Sequence, residues 1–420
     1  MSAVTAADAQ PASLFDKLDN DVLSLVMANV PFMYHRALRL TCSRWKQVVE
    51  ASSFAQLRLT TGLAEDVLVV AGGYMGQCCV YDNCSAMMQV GDRARFFELP
   101  RLPRAFLAPG CGDWPPDGGV NEACAAAVNG TVYVFGGESQ GDPGWATDTV
   151  LRLCVATGSW DILPRLPQPR QGACCGTIGD KIVIAGGLVA ERGTEYHTDY
   201  YVEAWNSDVT DSVLLFDPAT STFTEAAPMP YKCVSNAYGV IGDKLFVFGG
   251  CGEYDWEEDG DRIEIDTIAV YDKTADSWSV RKPVSGPAGG YLRGGRVGVG
   301  FEGKLYLVGG RTTAVDIYDP DKNSWSSGPP LPLYDYSDPE APKLIDYDND
   351  GPDLRHHDRF VVRYGPTVSV FNGSIVVVAG GARGSVVLKN GEWRLGPHLP
   401  GELFETGSTI PYASAAVARV

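Results

Sequence analysis

Two hydrophobic periodicities divide the chain. Over residues 14–58 apolar positions recur at helical spacing: Leu18, Val22, Leu23, Val26 and Val30 fall roughly on one stripe, which Pro31 stops. The run HRALRLTCSRWKQVVE places Leu38, Thr41, Cys42, Trp45 and Val49 on one face. This spacing predicts amphipathic helices, and Ser13-x-x-Asp16 is a candidate capping box for the first of them. From residue 66 onward the pattern becomes short, nearly continuous apolar runs bounded by glycine and proline, which predicts buried strands.

Six of these runs close on Gly-Gly: VLVVAGG (67–73), VYVFGG (132–137), IVIAGG (182–187), LFVFGG (245–250), LYLVGG (305–310) and IVVVAGG (375–381). A second short strand follows each, as CCVYD, TVLRLC, SVLLFD, IAVYD, AVDIYD or SVVLKN. An aromatic then opens a third strand, at Phe97, Trp160, Phe223, Trp278, Trp325 and Trp393, and most units end at proline. Five units are preceded by a strand of small residues, such as EACAAAVNG or RVGVGFEG. The unit is a four-stranded antiparallel blade, with small side chains innermost and the aromatic on the wider outer part. The first unit lacks its small-residue strand, and the tail YASAAVARV has that pattern. The expectation is a ring of six blades over residues 66–420, with 411–420 completing the first blade and removing the open edge.

Strand parity then locates the working surface. In a blade of four antiparallel strands, the loop between the second and third strands emerges on the same face as the connection to the next blade. The long insertions 104–120, 138–148, 188–212, 251–267 and 333–360 all belong to those two classes. They carry Trp145, Tyr201, Trp205, Trp256 and Tyr336, residue types enriched at interface hot spots. Arg170, Lys232, Arg293 and Arg363 stand near the starts of the innermost strands. A basic mouth suited to a carboxylate or phosphate of a target is one reading; simple pairing of each cation with a loop acid is the other.

Charge and cysteine content narrow the function class. A net charge of −18 argues against nucleic acid or an anionic membrane as main partner. The first residues show no secretory pattern, no apolar run approaches a membrane span, and the eleven cysteines form no C-x-x-C pair. An intracellular protein with reduced thiols, cytoplasmic or nuclear, is expected. DYDNDG sets Asp346, Asp348 and Asp350 at calcium-loop spacing, but the twelfth position is His357 where a bidentate Glu belongs. No hydrolase, zinc-protease or phosphate-loop motif is present, so no cofactor and no catalysis are expected.

The blade units, with Gly-Gly, Tyr-Asp and Trp in that order, resemble kelch repeats, which form β-propellers. That resemblance implies a mainly β fold: a six-bladed kelch propeller closed by its C-terminal strand. Residues 14–58 resemble an F-box, a small all-α domain. The matching residues are Leu18, Asn20-Asp21, Val30-Pro31, Leu38-Arg39-Leu40 and Thr41-Cys42-Ser43-Arg44-Trp45, with Asp19 where the family opens on proline. The F-box resemblance implies docking on the small adaptor subunit of SCF-type ubiquitin ligases and, through it, on cullin. The anchors carried over are Leu18, Leu23, Val26, Pro31, Leu38 and Trp45, some of which must serve the domain's own core. The chain is then a substrate receptor whose kelch face captures a target protein. The alternative is a kelch-type metal-dependent enzyme or small-molecule binder with a helical cap. Its metal would lie near Glu195 and Asp199, which resemble the iron site of kelch-type specifier proteins, although Glu203 stands where that family has His.

Overall fold

A computed structural model describes residues 14–76, 79–80, 84–90, 93–103, 120–139, 145–189, 208–234, 236–254, 262–283, 286, 296–309, 312–332, 334–335, 343–344, 366–378, 384–397 and 414–420. The chain divides into two compact units, residues 1–65 with 419–420 and residues 66–418.

The first unit holds four helices, α1 (Asn20–Ala28), α2 (His35–Thr41), α3 (Ser43–Glu50) and α4 (Ser52–Thr60). Asp19 caps α1, its carboxylate accepting from Val22 N at 2.8 Å. The residue standing in place of the family proline is therefore the helix start signal, and Ser13 lies outside the described residues. The run 35–50 is two helices, because Cys42 is fully extended (φ −161°, ψ 165°) between α2 and α3. Leu23, Met27, Ala28, Val48, Val49 and Phe54 form the core, with Leu18, Leu38 and Trp45 packed around it.

One buried cation organises the polar side of this core. Arg58, 2% exposed, donates to the carbonyls of Ala28 (2.9 Å), Val30 (2.8 Å) and Leu63 (2.7 Å) and to Glu65 Oε2 (2.9 Å). Two of those carbonyls lie at or just beyond the end of α1, where helical carbonyls lack intrahelical partners and the dipole favours a cation. Glu65 Oε2 also accepts from Phe32 N, and Glu65 and Val420 exchange two backbone hydrogen bonds.

The second unit contains six four-stranded antiparallel sheets among the described residues. Their innermost strands are Ser414–Arg419 (sheet I), Cys124–Val128 (II), Cys174–Ile178 (III), Ala237–Ile241 (IV), Arg296–Phe301 (V) and Thr367–Phe371 (VI). In sheet I the order runs from Ser414–Arg419 through Asp66–Ala71 and Cys84–Val90 to Arg93–Leu99. The tail strand therefore stands beside the first Gly-Gly strand, where the small-residue pattern placed it. The third strand of this sheet differs from expectation. Cys79–Val80 pairs with Tyr74–Gly76 as a separate hairpin, and Cys84–Val90 occupies the blade position. The facing aromatic shifts with it, since Phe96 opposes Met87 as Trp278 opposes Tyr271 in sheet IV; Phe97 faces Ala86.

Two repeated contacts join neighbouring sheets. In three of the pairs the second glycine reaches the segment entering the next sheet: Gly73 N, Gly137 N and Gly187 N donate to Val120 O, Arg170 O and Cys233 O, each at 2.8 Å. Positive φ (121°, 100° and 97°) aims these amides, and a Cβ on Gly187 would stand 2.6 Å from Gln171 O, so only glycine serves there. At the outer rim, Trp160, Trp278 and Trp393 donate Nε1–H to the carbonyls of Pro100, Ala227 and Pro329, where the preceding sheet's outer strand has ended.

Candidate functional site

The connections expected on one face are tied to one another. Val120–Asn121, which leads into sheet II, pairs with Glu138–Ser139, which leaves its second strand; Arg170–Gln171 pairs with Leu188–Val189 in the same way, and Val234 bridges Cys251. Segments of both connection classes thus build small supplementary sheets together, as parity requires. Beneath them lies a cavity of about 430 Å³, lined by residues from all six innermost strands or their lead-in segments. Its size lies within the range of ordinary ligand sites, and its wall is dominated by alanine, glycine and valine.

Of the four cations predicted for this mouth, Arg170 and Lys232 lie among the described residues, and Arg170 is placed differently from expectation. Arg170 is 3% exposed, and its guanidinium donates to Gly186 O (2.9 Å), Ser212 O (3.1 Å) and Ser212 Oγ (2.5 Å). It ties the entry of sheet III to that sheet's own loop and presents no charge to a target, which corrects its assignment as a target contact. Strand parity located its backbone; the carbonyls that surround its head group were not legible from spacing. Lys232 is exposed and is not among the residues lining the cavity. Trp145 lies in the pair Trp145–Ala146 with Glu138–Ser139. Arg293, Arg363, Tyr201, Trp205, Trp256, Tyr336, Glu195, Asp199, Asp346, Asp348 and Asp350 lie outside the described residues. Among the described residues no group of three His, Cys, Asp or Glu side chains could hold a metal.

A cation that sequence reasoning missed does line the cavity. Arg296 donates to Asp316 Oδ2 at 2.7 Å, with both side chains 1% exposed, and to Leu307 O and Ala314 O. Glu138, half-buried beside Asn121, has its carboxyl raised above the usual range by burial, against the Asn121 hydrogen bond. Burial also pushes the Cys233 thiol up to about 12 and the Cys174 and Cys175 thiols well above their ordinary value, so these thiols stay protonated and unreactive.

On the helical unit the predicted anchors separate into core and surface. Leu23 is fully buried and belongs to the domain's own core, so it offers nothing to a partner; Leu18, Leu38 and Trp45 are half-buried against that core. Val26 and Pro31 are exposed. Val22 (40%), Leu25 (50%) and Val26 (43%) form one exposed apolar stripe along α1, and Tyr34 and Leu40 are exposed at the ends of their own segments. The stripe read from the sequence thus mixes two faces of one helix, since Leu23 and Met27 point inward.

Comparison with known proteins assigns both units. A family model described as the KLHDC2/KLHL20/DRC7 Kelch-repeats domain matches residues 112–332, and an F-box domain model matches residues 15–56. The chain belongs to the F-box/kelch-repeat family. This F-box/kelch protein is 21% identical over 223 residues to a putative F-box/kelch-repeat protein of Arabidopsis thaliana, a match covering 53% of this chain and 51% of the relative. It is 30% identical over 121 residues to Kelch-like protein 35 of Mus musculus, covering 29% of this chain and 19% of the relative. Kelch domain-containing protein 1 of Mus musculus is 25% identical over 216 residues, 47% of this chain and 50% of the relative. The F-box/kelch protein thus spans about half or less of the length of these curated relatives. The solved structure of YjhT superposes with a TM-score of 0.51 at 19% identity, covering 78% of this chain and 96% of that one, a likeness of fold.

Proposed function

We propose that this F-box/kelch protein is the substrate-recognition subunit of an SCF-type ubiquitin ligase, acting without chemistry of its own. The helical unit holds the adaptor subunit and, through it, cullin. The β unit, read as a closed propeller of six blades, presents a target protein on the face built from its loops. Such a receptor works in the cytoplasm or nucleus by raising the effective concentration of target near the transferase.

The observation that carries this reading is the exposed stripe Val22, Leu25 and Val26 on a helical unit whose core is already filled by Leu23, Met27 and Phe54. Apolar side chains left outside a complete core gain most when a partner covers them. The test is co-purification of the full chain with an SCF adaptor. Leu25→Asp with Leu40→Asp should reduce adaptor capture at least tenfold while leaving the helical content intact, since both residues are exposed. Undiminished capture by that double variant would reject this surface, and absence of adaptor binding by the unaltered chain would reject the function.

A further inference from the structure

The helical unit is completed by residues from far along the chain. Arg419 and Val420 group with residues 1–65, and Val420 directly follows Ser414–Arg419, the innermost strand of sheet I. Val420 is 7% exposed. Its backbone exchanges two hydrogen bonds with Glu65: Val420 N donates to Glu65 O at 2.9 Å, and Glu65 N to Val420 O at 2.8 Å.

Glu65 carries this contact inward. Its Oε2 accepts from Phe32 N at 2.6 Å and from Arg58 Nη2 at 2.9 Å. The segment before it is wrapped around the same arginine. Leu63 N and Ala64 N donate to Arg58 O at 2.9 and 3.0 Å, and the guanidinium donates back to Leu63 O at 2.7 Å. Nη1 of that guanidinium reaches Ala28 O and Val30 O at the end of α1. A cation 2% exposed is tolerated while its acceptors stay in place, and losing its carboxylate partner is costly. One contiguous set of hydrogen bonds therefore runs from Val420 through Glu65 to Phe32, Arg58 and the end of α1. The outer side of that helix carries Val22, Leu25 and Val26.

We infer that Val420 is a strap on the adaptor-binding surface: by holding Glu65, and through it Arg58 and Phe32, it fixes the end of α1 in its binding position. This rests on the receptor reading and adds a regulation to it. A chain whose tail strand is unpaired presents a looser α1 and is a poor ligand for the adaptor, so an incomplete β unit is not loaded onto the ligase. Linkage makes the effect reciprocal: an adaptor seated on α1 tightens the hold on Val420.

The test compares the full chain with Val420→Pro, Glu65→Gln and the double variant. Val420→Pro removes the N–H that Glu65 O accepts, and Arg419 is already in the strand conformation that a following proline favours. Adaptor affinity should fall roughly fivefold or more in Val420→Pro and roughly tenfold or more in Glu65→Gln. The double variant should lose no more than Glu65→Gln alone, because both act through one residue. In the natural chain, adaptor binding should slow amide exchange of Val420, and Glu65→Gln should abolish that slowing. A readout without adaptor is exchange at Asn29, Val30 and Phe32, roughly fivefold faster in Val420→Pro while Asp66–Ala71 keeps its protection. Unchanged affinity in Val420→Pro, additive losses, or Val420 exchange indifferent to the adaptor would overturn the strap. Equal loss of protection in Asp66–Ala71 would make Val420 a piece of sheet I and overturn it as well. If the natural chain binds no adaptor, the receptor reading fails, and exchange at Asn29, Val30 and Phe32 still decides whether Val420 holds α1.

Discussion

His35 illustrates what burial does to a single side chain. It is 2% exposed, with Nε2 2.9 Å from Val30 O and 3.2 Å from Arg58 Nη1. Burial lowers its pKa to about 4; the Val30 carbonyl opposes the shift, and the charges of Arg58 and Arg39 add to it. The folded protein thus holds a neutral imidazole that the unfolded chain would protonate below its ordinary value of 6.5. With the folded pKa the lower one, nothing is lost above about pH 6.5, and stability falls as pH drops from there towards about 4. Between pH 7.5 and pH 5 the helical unit should lose about 2 kcal/mol that a His35→Gln variant keeps, at roughly 1.4 kcal/mol per pH unit of differential protonation. Amide exchange of α1 and α4 at the two pH values measures this; parallel pH dependence in both proteins would show that His35 is not the group responsible. Neither this network nor the burial of Arg170 is written in local sequence, because both cations are satisfied mainly by main-chain carbonyls, which carry no residue signature.

At the scale of elements, the outer-strand tryptophan does more than fill a wedge. In sheets II, IV and VI its indole N–H bolts the sheet to the carbonyl that ends the preceding one, across sequence separations of 60, 51 and 64 residues. Phenylalanine at the equivalent positions of sheets I and III packs without that bond, with Phe223 4.9 Å from Phe216 where Trp278 lies 5.1 Å from Tyr271. Trp278→Phe should therefore keep the packing and lose one partly buried hydrogen bond. The expected cost is about 1–2 kcal/mol, read as a lower melting temperature, whereas Phe223→Trp should cost nothing comparable. Equal stability of Trp278→Phe and the natural protein would reduce the indole to a packing group. The strand units were legible because Gly-Gly, the aromatic and the small-residue strand recur at fixed order, so six copies align one another. The errors fell where one copy departs from the others. In sheet I, Cys79–Val80 imitates the Tyr-Asp strand but belongs to an insertion, and one extra aromatic beside Phe96 hides the register. In the helical unit, periodicity located α1 but not which of its two apolar stripes is the inner one, because Val22 and Leu23 are both aliphatic and packing against Val48 and Val49 of α3 and Phe54 of α4 decides between them.

For the β unit as a whole, the decisive element is the last strand. Ala416 (6% exposed) and Ala418 (1%) are buried, and Ala415 and Val417 pack with the cluster that joins Leu68, Val70 and Met87 of sheet I to Phe371, Val376 and Val378 of sheet VI. Asn372 N also donates to Asp66 Oδ2 at 3.1 Å across the same junction. If the six sheets form a closed ring, a fault in this strand is felt around all of it, because each sheet is supported by two neighbours. If they form an open array, stability is a sum of nearest-neighbour terms and damage stays local. Ala418→Asp buries an unpaired charge and should cost 3 kcal/mol or more, while Arg419→Asp at an exposed position provides the matched control. Hydrogen exchange separates the two architectures. A closed ring requires that Ala418→Asp lower protection in Ile182–Ala185 of sheet III and Leu245–Phe248 of sheet IV, the strands farthest along the chain from either end of the array. Protection lost only in Asp66–Ala71 and Ser374–Val378 would mean that the tail strand repairs one edge and that the ring is open.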